Sequence, residues 1–160
     1  MGEKTFEEVV IDFFKEKLGD KLKSYEVKPR IKSKGLVIVT VSSSTIKEAI
    51  TSFLEKFSEQ GAKLSTITGV DFGKNLGLVY HITVDGEGIV VNVKVNDLPR
   101  TSPEVETLSD VIPAAAFMER EVHDLFGIKF KDHPSLKKWV LVETWPEGVY
   151  PLRKDFKQEG

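Results

Sequence analysis

Two segments in the first part of the chain place apolar residues at helical spacing. They span residues 5–19 and 45–61. Each begins with a threonine followed three residues later by a glutamate, which is the spacing of a capping box, and each ends at a glycine. We predict two amphipathic helices with one buried face each. The apolar positions are Phe6, Val9, Val10, Phe13, Phe14 and Leu18 in the first, and Ile46, Ala49, Ile50, Phe53, Leu54 and Phe57 in the second.

Five other segments have the β-branched and aromatic composition of strands. Pro29 favours an edge position for the first of them. Because short turns imply antiparallel neighbours, and because helices follow runs of strands, the pattern predicts the α+β class. The architecture expected is a two-layer domain of helix, two strands, helix and three strands, with both helices on one face of a mixed sheet. The predicted strands are residues 24–31, 36–41, 64–71, 76–84 and 89–95, and the predicted turns are Ser33-Lys34-Gly35, Gly73-Lys74-Asn75 and Asp85-Gly86-Glu87-Gly88.

The composition changes after Asn96, where six of the seven prolines are found. Pro113 suits the first turn of a helix and Gly127 suits its end, so residues 113–126 are predicted to be helical. We therefore assign residues 1–97 to the α+β domain. Residues 98–160 are predicted to form a short helix and an extended, partner-binding tail, within one structural domain overall.

Charge and residue content narrow the classes of function. The 160 residues carry a net charge of only -2, which does not indicate a nucleic-acid partner. No apolar run reaches the roughly 18 residues of a membrane span, and the N-terminus lacks a signal peptide's features, so a cytoplasmic chain is expected. The absence of cysteine excludes cysteine-ligated iron-sulfur clusters on this chain. Abundant Lys and Glu with few Asn and Gln are typical of thermophile proteins.

The predicted third helix concentrates charge. Glu119 and His123 are four residues apart, as are Arg120 and Asp124, so each pair can meet on the helix surface. Three interpretations are open from residue types alone: a solvated face with ion pairs, a contact surface, and a catalytic or metal site. The last would use Glu119 and His123, with His133 or His81 as a third ligand. The HExxH spacing that makes such sites specific is absent, and no nucleophile or phosphate loop is recognisable nearby.

Three motifs follow one another in the last quarter of the chain. They are EREVHDLFGIKF at residues 119–130, HPSL at residues 133–136 and PLRKDF at residues 151–156. In order and spacing they closely resemble the signature of the C-subunit family of NADH:quinone oxidoreductase, respiratory complex I. The same family supplies a component to energy-converting membrane-bound hydrogenases and archaeal sulfur-reducing complexes.

The resemblance implies a non-catalytic structural subunit in the peripheral arm of a membrane-bound, ion-pumping redox complex, on the cytoplasmic side of the membrane. Such a protein holds no cofactor or metal and braces a hydrogenase-like large subunit beside an iron-sulfur small subunit. Iron-sulfur clusters, and nickel-iron in some complexes, belong to these partners, and antiporter-like membrane subunits are indirect partners. The contact residues expected are Glu119, Arg120, Glu121, Asp124, Phe126, His133, Trp139, Trp145, Leu152, Arg153, Asp155 and Phe156.

Departures from the family pattern refine this expectation. Lys137-Lys138 replaces two arginines of many members, and lysine cannot reproduce arginine's bidentate geometry. Residues 144–151 lack the histidine that is usual in this link. These differences favour an archaeal hydrogenase-like or sulfur-reducing complex. The alternatives are a subunit of NADH:quinone oxidoreductase proper and, from a different class, a small metal-dependent hydrolase.

Overall fold

Helices and strands follow one another largely as the sequence predicts in the computed structural model, which describes residues 2–28, 32 and 35–158. Short 3-10 turns precede β1 and α2. The elements are α1 Phe6–Leu18, β1 Leu22–Lys28, β2 Leu36–Val41, α2 Ile46–Lys56, β3 Ala62–Asp71, β4 Leu76–Val84, β5 Ile89–Leu98, β6 Glu104–Glu106, α3 Ala115–Phe126 and β7 Lys129–Lys131.

The main sheet has the strand order β1-β2-β5-β4-β3. The β2–β5 pair is parallel and the other pairs are antiparallel, so the predicted mixed sheet is confirmed. Val39 lies opposite Val93, and Val93 lies opposite Tyr80, so these buried residues share one face of the sheet. Helices α1 and α2 pack on that face. The other face carries polar residues such as His81, whose ring is hydrogen-bonded to Thr68 and Asn92.

Aromatic rings join the two long helices. The rings of Phe14 on α1 and Phe53 on α2 stack with centroids 5.3 Å apart. Phe13 contacts both rings edge-on. The predicted capping box is present on α1, where Thr5 Oγ1 accepts the N–H of Glu8 and the Glu8 carboxylate accepts the N–H of Thr5. This end of α1 therefore has partners for its free amides.

Several local predictions need correction. Thr45 does not cap α2 through its side chain, because its hydroxyl donates to Ser42 O in the preceding 3-10 turn. Helix α2 ends at Lys56, before the predicted stop at Gly61, because the chain turns at the buried Phe57. Strand β1 begins two residues early, and the parts of its prediction at Pro29 and Ile31, with the turn residues Ser33 and Lys34, lie outside the described residues.

A second, two-stranded sheet was not predicted. Strands β6 and β7 pair in parallel and bury Val105 and Phe130. Helix α3 packs on β3, where the Phe126 ring occupies the space beside Gly69; a Cβ on that glycine would lie 2.4 Å from the ring. The residues that follow the main sheet thus share its core. Gly127 ends α3 as predicted, and it does so in the left-handed conformation.

The aromatic contact between the helices should be a main source of stability. We expect Phe53→Ala to lower the free energy of unfolding by about 3–5 kcal/mol, because it leaves a cavity under the stacked Phe14 ring. The matched control Phe117→Ala removes an exposed ring that contacts Trp139 at the surface and should change this free energy by about 1 kcal/mol or less. Denaturant unfolding followed by circular dichroism measures both, and equal losses would contradict the assignment.

Candidate functional site

The tail, residues 132–158, contains no helix or strand and lies over α3. Asp124 fixes its first part. The Oδ2 atom of this buried carboxylate accepts three consecutive backbone N–H groups, from Trp139 at 2.7 Å, Val140 at 2.8 Å and Leu141 at 3.2 Å. Hydrogen bonds to an ionised acceptor are stronger than neutral ones, so this carboxylate holds the tail firmly.

Arg120, one turn earlier on α3, binds the same stretch through its carbonyl groups. Its Nε and one terminal nitrogen donate to Lys137 O and Lys138 O, each at 3.2 Å. The guanidinium also lies 4.8 Å from the centre of the Trp139 ring, within the range of a cation–π contact. Asp124 and Arg120 thus bind the N–H and C=O groups of residues 137–141, and we call this arrangement the Asp124 clamp.

A second carboxylate, at the end of β3, fixes the last part of the tail. Asp71 forms a bidentate ion pair with Arg100, with N–O distances of 2.6 and 3.0 Å, and accepts the N–H of Lys154 at 2.8 Å and that of Gly73 at 2.8 Å. Arg100 reaches on to Asp155 at 3.2 Å. The guanidinium of Arg100 holds the pKa of the Asp71 carboxyl well below its usual range.

Arg153 ties the same segment to the end of α3. Its Nε donates to Phe126 O at 2.7 Å, and a terminal nitrogen donates to Arg100 O at 3.3 Å. Its guanidinium lies over the ring of Tyr150, which packs so closely on Gly127 that a Cβ there would lie 2.4 Å from the ring. The PLRKDF motif therefore binds the chain's own α3 through the Arg153 side chain and the end of β3 through the Lys154 amide.

Glu119 has a different, internal role. Its side chain is fully buried and accepts the N–H of Leu108 at 2.7 Å and the hydroxyl of Thr107. Burial raises the pKa of Glu119 above its ordinary value, although the bonds from Leu108 and Thr107 act in the opposite direction. Glu119 therefore anchors the segment between β6 and α3 to the helix.

The histidines are engaged in hydrogen bonds with protein groups. The Nδ1 atom of His133 accepts the N–H of Ser135, so its Nε2 carries the proton and donates to Ala116 O at 3.0 Å. His123 Nδ1 is bonded to Ile128 O beyond the end of α3. Within residues 2–28, 32 and 35–158, no three His, Asp or Glu side chains come together as a group that could hold a metal ion.

The predicted contact residues divide by burial. Arg120, Trp145, Arg153 and Phe156 are half-buried, while Glu121, Trp139, Leu152 and Asp155 are exposed. Glu119, Asp124, Phe126 and the His133 side chain are buried inside the chain.

The two side-chain pairs that four-residue spacing allows, Glu119 with His123 and Arg120 with Asp124, are not the contacts that form. Glu119 turns inward to Thr107 and Leu108, while Arg120 and Asp124 bind different backbone groups of the tail.

Comparison with known proteins places this arrangement in a family. Residues 39–160 match the family described as respiratory-chain NADH dehydrogenase, 30 Kd subunit. The chain belongs to this family. The matched range includes the Asp124 clamp, the Asp71–Arg100 pair and the whole tail, so the geometry described above lies within the family's own region of sequence.

Relatives within and around the 30 Kd subunit family include bacterial and archaeal proteins. The chain is 41% identical over 98 residues to the C/D subunit of NADH-quinone oxidoreductase from Phocaeicola vulgatus, covering 59% of this chain and 18% of the relative. It is 41% identical over 104 residues to the C subunit of F(420)H(2) dehydrogenase from Methanosarcina mazei, covering 64% of this chain and 65% of the relative. The chain thus spans less than two thirds of the length of either protein.

A solved structure shows the same fold at moderate identity. A chain in the structure of the membrane-bound sulfane sulfur reductase, an archaeal respiratory membrane complex, superposes with a TM-score of 0.73 and 28% identity, covering 96% of this chain and 86% of that chain. In the part of the 30 Kd family chain that is described here, none of the helices has the length and apolar character needed to cross a membrane.

Some residues important to this family member carry no clear signal in the sequence. The pattern marks Asp71 only as a strand end, and it singles out neither Arg100 nor Thr107. Asp71 and Lys154 are 83 residues apart, so no local spacing signals their contact. The one available hint is an arginine directly after Pro99, in a segment without regular structure.

The Asp71–Arg100 pair should stabilise the fold in a pH-dependent way. We expect Asp71→Asn to lower the free energy of unfolding at pH 7 by about 2–4 kcal/mol, because Arg100 and the Lys154 amide lose an ionised partner. Since the pKa of Asp71 is lowered in the folded chain, its contribution is complete above the unfolded value of about 4 and is lost as the pH falls further.

Urea unfolding of wild type and Asp71→Asn at pH 7 and at pH 3 measures this difference, which should narrow at pH 3. The control Asp12→Asn alters an exposed ion pair with Lys4 and should change little at either pH. If the free energies of unfolding of wild type and Asp71→Asn differed by the same amount at both pH values, the role assigned to the Asp71 charge would be contradicted.

Glu119 should stabilise the fold mainly as a hydrogen-bond acceptor and not through its charge. We expect Glu119→Ala to cost about 2–4 kcal/mol, because the Leu108 N–H and the Thr107 hydroxyl lose their partner. Glu119→Gln keeps an acceptor oxygen and should cost less. Because the pKa of Glu119 is raised in the folded chain, the wild type should lose stability as the pH rises above the unfolded value of about 4, and the Gln variant should gain stability relative to the wild type over that rise. Equal losses for both variants, measured by urea unfolding, would rule out this role.

Proposed function

We propose that this chain is a non-catalytic structural subunit in the peripheral arm of a membrane-bound, ion-pumping redox complex. It braces a hydrogenase-like large subunit beside a small subunit that carries an iron-sulfur cluster. The observation that carries this proposal is the direction of the side chains in the family motifs. Their charged groups hold the chain's own tail, while Trp139 and Leu152 of the same tail remain exposed.

Apolar side chains held at the surface are typical of protein interfaces. An enzyme site would instead bring reactive groups together around a substrate position, whereas His123 and His133 here bind backbone groups. The family membership supports the same reading, since the named relatives are subunits of oxidoreductases. We therefore assign redox chemistry to partner subunits.

The kind of complex is proposed from the archaeal relatives. The F(420)H(2) dehydrogenase protein of Methanosarcina mazei and the sulfane sulfur reductase chain are the matches of greatest mutual coverage among those described above. They support an archaeal hydrogenase-like or sulfur-reducing complex. The second candidate, a subunit of NADH:quinone oxidoreductase itself, is favoured by the 41% identity to the Phocaeicola vulgatus protein.

Cofactors and location follow from the same proposal. The sequence supplies no cysteine thiolate for an iron-sulfur cluster, so we place the clusters, and nickel-iron where the large subunit is a hydrogenase, in the partners. The chain would lie on the cytoplasmic side of the membrane, attached through those partners. Antiporter-like membrane subunits would then be indirect partners.

Affinity purification of the tagged chain from its own membranes tests the proposal. We expect a hydrogenase-like large subunit and an iron-sulfur small subunit to be recovered with it, identified by mass spectrometry, with iron in the assembly. Membranes containing the untagged chain serve as the control. Recovery of the chain alone with stoichiometric metal that is lost in His123→Ala would instead favour the small metal-dependent hydrolase.

A further inference from the structure

Four exposed apolar side chains lie on α3 and on residues 139–142, within or next to the Asp124 clamp. The exposed fractions are 54% for Phe117, 53% for Trp139, 51% for Val140 and 64% for Val142. The rings of Phe117 and Trp139 are in contact, with centroids 5.1 Å apart, so side chains of helix α3 and of the tail meet here. We call these four residues the apolar ridge.

The clamp fixes the backbone that carries this ridge. Asp124 accepts the amides of Trp139 and Val140, two residues whose side chains are about half exposed. Arg120 holds the preceding carbonyls and lies over the Trp139 ring, which sets the direction of the indole. A buried carboxylate and a guanidinium thus keep apolar side chains in water, an arrangement that folding of this chain alone does not require.

We infer that Asp124 and Arg120 are positioning residues for partner binding. They hold residues 137–141 in the bound conformation before a partner is present, and the apolar ridge docks as a preformed unit. This inference rests on the proposed function, because the occupant is the large subunit of that complex. A preformed surface avoids the cost of ordering the tail on binding, so the clamp raises affinity without touching the partner.

The charges around the ridge define the surface that it fits. Residues 134–142 contain Lys137 and Lys138 and no acidic residue, and the Lys138 amine is already bonded to Glu143 O and Trp145 O. Lys137 is exposed at this end, while Glu121 borders the ridge on α3. The matching partner surface is an apolar groove with a carboxylate at the Lys137 end and a basic group near Glu121.

Two variants separate the clamp from the ridge. Asp124→Asn removes the charge that holds the three amides, and Trp139→Ala removes the central ring of the ridge but keeps the backbone. Their matched controls are Asp12→Asn and Val9→Ala, both exposed positions on α1. Hydrogen exchange measured by NMR on the full isolated chain reports the amides of residues 139–141, and the amides of β4 report whether the fold is intact.

Partner binding is measured by competition in cells. Each tagged variant is produced beside the untagged wild-type chain, and quantitative mass spectrometry compares how much of each enters the membrane complex. We expect protected amides at residues 139–141 in the isolated wild type. Asp124→Asn keeps one acceptor oxygen but no charge, so it should lose most of that protection with β4 unchanged and enter the complex about tenfold less. Trp139→Ala should keep the protection and also enter about tenfold less. The controls should behave as wild type.

Three results would overturn the inference: unprotected amides at residues 139–141 in isolated wild type, loss of protection in Asp124→Asn without loss of incorporation, and normal incorporation of Trp139→Ala. If Asp124→Asn unfolds altogether, the hydrogen exchange of the wild-type chain and the incorporation of Trp139→Ala decide whether the inference holds. In each case recovery of the partners with the wild-type chain leaves the proposed function standing. A wild-type chain that enters no membrane complex contradicts the proposed function itself.

Discussion

The irregular tail imposes the main physical constraint on this structure, because its backbone polar groups have no ladder of their own to pair with. Asp124 meets part of this need by accepting three consecutive amides, and Asp71 does so for Lys154. Arg120 and Arg153 donate to carbonyl groups of the tail and of α3. The tail's conformation therefore depends on a small set of buried or half-buried charges, whereas the main sheet is held by its strand pairing and a continuous apolar core.

This use of charge makes the proposed structural role compatible with a strongly charged motif. The groups that characterise the family motif, such as Asp124 and Arg153, are directed at the chain's own backbone. The side chains left outside are apolar and aromatic, Trp139 among them. Interfaces draw most of their binding energy from a few such anchors in fixed positions, so a tail held by internal hydrogen bonds suits the proposed bracing role. We base the proposed function and the proposed positioning role of the clamp on this division between inner charges and outer apolar groups.

Local pattern predicted most of the fold because apolar spacing records which side of a helix or strand meets the core; Phe14 and Val39 are examples. It failed where tertiary contacts decide. Helix α2 stops where the buried Phe57 turns the chain, and Thr45 prefers the Ser42 carbonyl to a capping bond. The site was harder to predict. Four-residue spacing allows Glu119 to meet His123, but burial against Thr107 and Leu108 offers stronger partners. The motif resemblance singled out residues 119–156, which include the Asp124 clamp, while the long-range Asp71 contact left no local signal.

In the proposed function, the charged residues of the motifs fix the tail to the rest of the chain, and the exposed apolar side chains of the tail contact a partner. An electron cryo-microscopy structure of the chain within its native membrane complex would show both halves of that division at once. We expect the Asp124 carboxylate still to accept the amides of residues 139–141, with Trp139 buried against another subunit. A tail separated from α3, with the Asp124 carboxylate bound to a partner residue instead, would contradict it.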